Sequence, residues 1–517
     1  MPERRCDITI VMAPMWNVGW PWLAPAYICE ALRQAGFNVQ FLDYNIDLYH
    51  KCKSLGYGRF WEDDAYIKVW ASGELNYLAR YIRLDDIRGN VIGFSTTQTN
   101  LSFSVALASR IRARFPSRRI VFGGHAVFLP HEAACVPLRF ADAICKGEGE
   151  QTICEAMRQG FDHLESVPGL YLPNGDNGWR LTSERPLERD LDTIPFPAFR
   201  EVDLKLYQHP FLPVMGSRGC IGRCIFCTDR YRTPGFRTRS AKHQVDELEY
   251  LSGCFPVEHF PYHDPLMNGH IPTLEAKADE ILRRGLKVQY GGNLMIRADM
   301  PSELFPKLRR SGMSVALIGM ESASPAVLKH MRKRHDPHMA SNFLQGLHTA
   351  GIRAELNFIV GFPTETEEDF AETLAWLRQN RQYIDAVVSA STFCMVPSDL
   401  WNARDEHHIV VDENDPVNNW RTRDTGNTFE VRQRRFRTFV EVAGELGLLD
   451  ESLLSVEHLL KPYAIPSPSE FRKAYIAHYG KAASPDTREV VGMVVSSLRS
   501  RGVRGTFRRA LEWVQTR

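Results

Sequence analysis

The chain has 517 residues, which at roughly 150 per domain allows about three domains, each with its own core. Hydrophobic residues make up 44% and charged residues 24%, a balance that excludes disorder for the bulk of the chain. Lys and Arg number 63 against 62 Asp and Glu, so the net charge of +1 supplies no overall field for phosphates, and nucleic acid is a disfavoured partner.

No apolar run of roughly 18 residues is present, so no transmembrane segment is expected. Asp7 and Thr9 interrupt the place where a signal-peptide core would stand, which predicts a cytoplasmic protein. Eleven cysteines are too sparse for a disulfide scaffold, so a cluster of them reads as a metal or redox site.

From the N-terminus, strand-like Asp7–Pro14 is followed by a helix over Ala24–Ala35 closed by Gly36, then a strand at Phe37–Asp43. An apolar run at Val91–Ser95, a helix through Leu101–Arg114, a run at Arg119–Gly123 and a helix from about Glu150 continue the alternation. Such spacing predicts βαβ units and a doubly wound, Rossmann-like parallel sheet over residues 1–165, with ligands beyond the carboxyl ends of its strands.

Periodicity then fails where Pro, Gly, Asn and Asp are frequent, so residues 166–208 are expected to form a hairpin and linker. Alternation resumes with a strand entering the cysteines, then Val257–His263, Lys287–Gly291, Val315–Met320, Ala354–Gly361 and Ala386–Phe393. Six βα units over residues 209–400 predict a partial (β/α)6 barrel with its site at the strand C-terminal ends. Residues 401–517 read as a mostly helical region that closes the barrel, and its Arg-rich tail reads as a solvated face.

Cys220, Cys224 and Cys227 follow the first barrel strand in MGSRGCIGRCIFCTDR. Three thiolates in eight residues can wrap one face of a metal cluster, with Gly216, Gly219 and Gly222 letting the loop bend and Phe226 shielding it. A structural zinc site wants a fourth ligand, and none stands at the usual spacing; a 4Fe-4S cluster on three cysteines keeps one iron open. Three buried core cysteines are the structural alternative.

The loop resembles the signature of the radical S-adenosylmethionine (SAM) superfamily, in which an aromatic residue commonly precedes the third cysteine. That resemblance implies a 4Fe-4S cluster whose open iron chelates SAM, reductive cleavage to a 5'-deoxyadenosyl radical, and an external one-electron reductant such as flavodoxin or ferredoxin. It extends over roughly residues 190–400, through Asp264 in PYHDPLMNG, Asn293 and Arg297 in GGNLMIR, Glu321 and Ser322 in IGMESAS, and Asn357 in NFIVGFPTETEEDF. These six residues are implied to bind SAM, with Glu321 near its amino group or ribose. Thr364 and Glu365–Glu368 are read as capping the following helix.

The N-terminal loops carry glycines at strand ends: Ser95, Thr96 and Thr97 in STTQTN, Gly123 and Gly124 in FGGH, and Gly147, Glu148 and Gly149 in KGEGE. Together they resemble the cobalamin-binding domain fused to class B radical SAM enzymes, which implies that these residues meet cobalamin. The Asp-x-His-x-x-Gly motif of that domain is absent, because Asp43 is followed by YNIDL. Cobalamin is then expected to bind without histidine, its lower face against the Ser95–Asn100 loop. Cys6, Cys29 and Cys52 are read as core residues, since their placement converges on no second cluster.

The combination implies a cobalamin-dependent radical SAM enzyme that methylates an unactivated carbon of a small-molecule, natural-product or lipid substrate. A radical cyclisation, ring contraction or rearrangement without methyl transfer is the alternative, and an iron-sulfur redox protein the non-enzymatic one. Tyr262, His263 and Tyr290 are expected to face the substrate; His407 and His408 read as exposed loop residues.

Overall fold

The computed structural model describes residues 6–175, 178–413, 415–424, 426–449 and 465–480. They form two compact units: the described parts of Met1–Leu187, Ile194–His209 and Glu457–Arg517, and those of Glu188–Thr193 and Pro210–Val456.

In the first unit β1 (Ile8–Met12), β2 (Val39–Asp43), β3 (Val91–Thr96), β4 (Arg119–Gly124) and β5 (Ala143–Cys145) pair in parallel in the order β2-β1-β3-β4-β5. All five residues of β1 are buried because the sheet has a core on each face. Val11 points into one, with Trp70, Phe103 and Leu107. Ile8 and Ile10 point into the other, with Cys29, Leu32 and Ile153. The sheet is the doubly wound one expected.

The expected hairpin forms from β6 (Leu170–Pro173) and β7 (Trp179–Leu181), and it extends the same sheet antiparallel to β5, in the register Ile144↔Tyr171 and Cys145↔Leu170. Leu170, Tyr171 and Leu172 are buried there, and burying them outweighs the turn-rich composition around them. The helix Pro468–Tyr479 belongs to this unit as well and does not serve the barrel. Its Phe471 is fully buried with ring centres 5.0–5.9 Å from Tyr57, Tyr77 and Tyr81. The Arg-rich tail from Ser497 lies outside the described residues.

In the second unit β8 (Ser217–Arg218) pairs with β9 (Arg237–Thr238), and β10 (His259–Pro261), β11 (Gln289–Leu294), β12 (Met313–Glu321), β13 (Arg353–Val360) and β14 (Ala386–Thr392) follow in sequence order as a parallel sheet. Bridges Phe211↔His259 and Val214↔Tyr262 add the segment before β8 as a sixth, irregular member, so the unit is the expected partial barrel. Alternation on β13 separates its faces: Ala354, Leu356, Phe358 and Val360 are buried, with Phe358 packed on Phe439, whereas Glu355, Asn357 and Ile359 are half-buried on the other face. A short antiparallel pair, β15 (Ile409–Val411) and β16 (Trp420–Thr422), follows the barrel. Among the described residues no helix is long and apolar enough to cross a membrane.

Candidate functional site

Parallel pairing in sequence order brings the carboxyl ends of the second unit's strands to one edge. The cysteine loop starts there. Gly219 has φ +77, and a Cβ on it would enter the Gly235 carbonyl, so the turn into Cys220 requires glycine. Gly222 lies among the thiols: its N–H donates to Cys220 Sγ at 3.2 Å, and a Cβ on it would stand 3.2 Å from Cys220 Sγ and 3.8 Å from Cys224 Sγ. The loop is stitched to the barrel top by Ile225 N–H to the Met331 carbonyl at 3.1 Å and by Leu400 N–H to the Ile225 carbonyl at 2.8 Å. Ile225 joins Phe362, Phe393, Met395, Leu400 and Trp420 in an apolar cluster, and Phe226 packs edge-on to Phe362 and Phe393. Burial pushes all three thiols up, that of Cys227 to about 12, so an electropositive centre is needed to hold them as thiolates.

Glu321 closes β12 with φ +66, an unusual conformation for a non-glycine residue and a sign of over-determined geometry. The register shift between Gly319 and Glu321 creates the turn. Its Oε1 lies 3.2 Å from Lys333 Nζ, and both side chains are only 14% exposed. Burial disfavours that ammonium, but the charges of Glu321 and Cys224 hold its pKa above the usual lysine value. Asn357 pairs across from Gly319, and its buried Oδ1 has no hydrogen-bond partner among the described residues.

The other residues expected around SAM are tied into the frame. Ser322 is buried, its hydroxyl 3.2 Å from Thr373 Oγ1 and accepting from Ser324 N–H at 3.1 Å. Asp264 accepts from Gly216 N–H and the Ser217 hydroxyl, each at 2.8 Å. Asn293 donates to the Asp264 carbonyl at 2.9 Å, and Arg297 donates to the carbonyls of Asn268 and Gly269 while pairing with Asp299. The helix after β13 is capped by Thr366 and Asp369 in a reciprocal box, not by Thr364; Glu365 instead binds Gly361 N–H at 2.8 Å and Arg435 at 3.2 Å. Tyr262 and Tyr290 are buried, with Lys277 Nζ 3.9 and 4.5 Å from their ring centres, so the packed layer holds them and not a substrate wall; His263 is half-buried. His408 pairs with Asp424.

Sequence reasoning missed Lys333 because it sits in the run Met331-Arg-Lys-Arg334, whose basic residues read as solvated; Arg332 and Arg334 are indeed exposed, and of the three basic side chains only Lys333 turns inward. It also missed Asn268, fully buried, whose amide spans the Met295 N–H and carbonyl at 2.9 and 2.8 Å.

In the first unit one register row carries Asp43, Met12, Ser95, Gly123 and Cys145, so the predicted loops all leave one edge of the sheet. Gly124 has φ +107, and a Cβ there would enter the Thr96 carbonyl, which explains the glycine. Thr96 Oγ1 donates to the Gly123 carbonyl at 2.8 Å, Ser95 Oγ accepts from Trp22 Nε1 at 3.3 Å, and Thr97 N–H donates to Asn100 Oδ1 at 2.8 Å. Gly147 is exposed, and Gly149 opens the helix Gly149–Arg158 with Glu148 as its N-cap. Asn45 lies two residues after Asp43. It is buried, with Oδ1 accepting from Trp16 N–H at 2.9 Å and Trp61 Nε1 at 2.7 Å. Cys29 and Cys52 lie on opposite faces of the sheet, in separate cores.

Residues 214–377 match the model of the Radical SAM superfamily, and residues 17–157 that of the B12 binding domain. An uncharacterized methyltransferase of Pyrococcus horikoshii is 25% identical over 303 residues, covering 56% of this chain and 64% of the relative. The anaerobic magnesium-protoporphyrin IX monomethyl ester cyclase of Cereibacter sphaeroides is 27% identical over 378 residues, covering 69% of this chain and 56% of the relative. The chain thus spans about 64% and 56% of the lengths of these curated relatives. The radical SAM methyltransferase TsrM of Kitasatospora setae superposes with a TM-score of 0.62 at 16% identity, covering 89% of this chain and 92% of TsrM. The cobalamin-dependent SAM radical enzyme OxsB gives 0.63 at 15% identity, covering 96% and 75%. At these identities both report the fold.

The residues present fit the superfamily's cofactors. Among the described residues no three His, Cys, Asp or Glu side chains gather on a single ion, and a cubane asks for something different: each thiolate takes its own iron. Gly222, with no side chain, leaves room between the thiols for such a body, and the bare Asn357 Oδ1 offers an acceptor to a ligand at the same edge. In the first unit the buried Trp16 Nε1 likewise has no partner among the described residues, in the loop that leaves the ligand edge of the sheet. Sequence match and cysteine loop agree: the chain belongs with the proteins that carry a B12-binding domain followed by a radical SAM domain.

Proposed function

We propose that this protein is a cobalamin-dependent radical SAM methyltransferase that acts on an unactivated carbon of a small molecule, with electrons from an external one-electron carrier. The observation that carries the reading is a three-cysteine loop beside Glu321 in a chain that also holds a B12-binding sheet. When bound, these cofactors supply radical hydrogen abstraction and a transferable methyl group.

The chain's own residues bind, orient and shield. We assign Cys220, Cys224 and Cys227 as the cluster ligands, with Gly222 N–H donating to the Cys220 sulfur. Glu321 and Asn357 are the assigned contacts for SAM, because Glu321 ends β12 with a carboxylate and Asn357, on the half-buried face of β13, keeps a buried acceptor. Ser322, Asp264, Asn293 and Arg297 hold those ends in place through the bonds described above. Phe226, Phe362 and Phe393 exclude water from the cluster loop. In the first unit Ser95, Thr96, Thr97, Gly123, Gly124, Gly147, Glu148 and Gly149 are assigned to the cobalamin edge, supported by the pairings Ser95↔Gly123 and Thr96↔Gly124 and by Cys145, just before Gly147, in the same row.

The test is anaerobic reconstitution with iron, sulfide and hydroxocobalamin, followed by metal counting and product mass. One four-iron cluster, stoichiometric cobalt and a product heavier by one methylene unit are expected. Cobalt-free protein that still cleaves SAM would replace methyl transfer by radical cyclisation or rearrangement, the reading favoured by the likeness to the protoporphyrin ester cyclase. Protein that holds the cluster but never cleaves SAM would be a redox protein.

A further inference from the structure

Lys333 is a buried cation in a position that the cofactor assignments leave unexplained. It follows the short helix Pro325–His330, and the same turn gives the Met331 carbonyl to the cysteine loop at Ile225. Strand β12 clears a place for it: a Cβ on Gly319 would stand 3.2 Å from Lys333 Nζ and inside the Glu321 carboxylate. The ammonium thus stands 3.2 Å from Glu321 Oε1, two residues past the carbonyl that binds the cysteine loop. Lys333 and Glu321 carry opposite charges, so their effects on the nearby cysteine loop oppose each other.

A cluster that accepts an electron gains one unit of negative charge. In a poorly screened site, a fixed positive charge beside one thiolate stabilises the reduced form, and a fixed negative charge stabilises the oxidised form. The pair can therefore set how readily an external one-electron donor, itself oxidised by one electron, reduces the cluster.

We propose that Lys333 is a positioning residue with two tasks: it holds the Glu321 carboxylate in its left-handed turn, and its buried charge raises the electron affinity of the cluster held on the three cysteines. The proposal rests on the cluster assignment made above and goes beyond it by giving the two charges opposite and measurable effects.

The experiment is a potentiometric reduction of the reconstituted full-length chain, without SAM, followed by electron paramagnetic resonance. Dithionite and mediators serve as donor. Lys333→Met should lower the reduced-to-oxidised ratio at a fixed potential by roughly tenfold, equivalent to about 59 mV for one electron. Glu321→Gln should raise the ratio, and Lys333→Arg should restore nearly the wild-type value. Shifts of the same sign, or none in either variant, overturn the proposal while the iron count leaves the functional reading standing. Wild-type protein that holds no four-iron cluster overturns both. Should Lys333→Met fail to fold, Glu321→Gln alone decides the question, since a fall or no change in the ratio contradicts the assigned charge effect.

Discussion

Asp264 Oδ1 accepts a hydrogen bond from the Gly216 N–H at 2.8 Å, so a carboxylate just past β10 grips the backbone that delivers the cysteine loop. Its second oxygen takes the Ser217 hydroxyl at 2.8 Å, and the charge of buried Lys277 acts on the same group. Asp264→Ala strands two donors and a buried ammonium, at about 3 kcal/mol. Thermal unfolding should show that loss, and iron per chain after anaerobic desalting should fall with it. Asp264→Asn, which keeps an acceptor for Gly216, should lose less of both.

Space at two glycines separates cluster binding from SAM binding. Gly222→Ala places a methyl 3.2 Å from Cys220 Sγ and 3.1 Å from Met295 Cε, where cluster assembly needs the room. Iron retention should fall severalfold. Gly319→Ala instead forces the Glu321 carboxylate aside. Iron retention should hold while SAM affinity, measured by calorimetry, drops roughly tenfold or more, the loss of one charge-assisted contact.

Burial pushes the Asp43 carboxyl up to about 6, against the opposing bond from the Tyr207 hydroxyl. The folded chain therefore holds this proton more tightly than the unfolded chain does. Its contribution to stability is fully present below the ordinary carboxylate range and is lost as pH rises from there through about 6. Asp43→Asn carries no such charge, so it should unfold at a higher temperature than wild type near neutrality. The gap should close in mild acid; a gap independent of pH would contradict the assignment.

Asn45 holds Trp16 and Trp61 with its side-chain oxygen and donates to the Trp16 carbonyl at 3.1 Å. Asn45→His breaks this knot in a buried position, at about 2 kcal/mol. A lower melting temperature is expected, with no nitrogen coupling from the protein in the spectrum of reduced cobalamin.

The two parallel sheets were legible because strand and helix periods alternate plainly from Ile8 to Arg158 and again from Val214 to Thr392. Cysteine spacing likewise marked the site, since one loop carries all three thiols. Contacts between distant segments left no such trace. The hairpin at Leu170 reads as a hairpin, but its place at the edge of the first sheet leaves no trace, because its strands are too short to show alternation. Tyr262 and Tyr290 look like pocket residues until Lys277, on another helix, is seen over both rings. Lys333 is invisible because its partner Glu321 is close in the chain but across a turn whose backbone no local pattern specifies.

The helix Pro468–Tyr479 completes a core whose other buried members end at Tyr207, while most of the second unit, Pro210–Val456, lies between them in the chain. During synthesis the first sheet must therefore wait roughly tens of seconds, at ordinary ribosomal rates, with the aromatic surface of Tyr57, Tyr77 and Tyr81 open to solvent. That interval is when a chaperone would find the nascent chain, and it makes recombinant yield sensitive to how fast the barrel is translated.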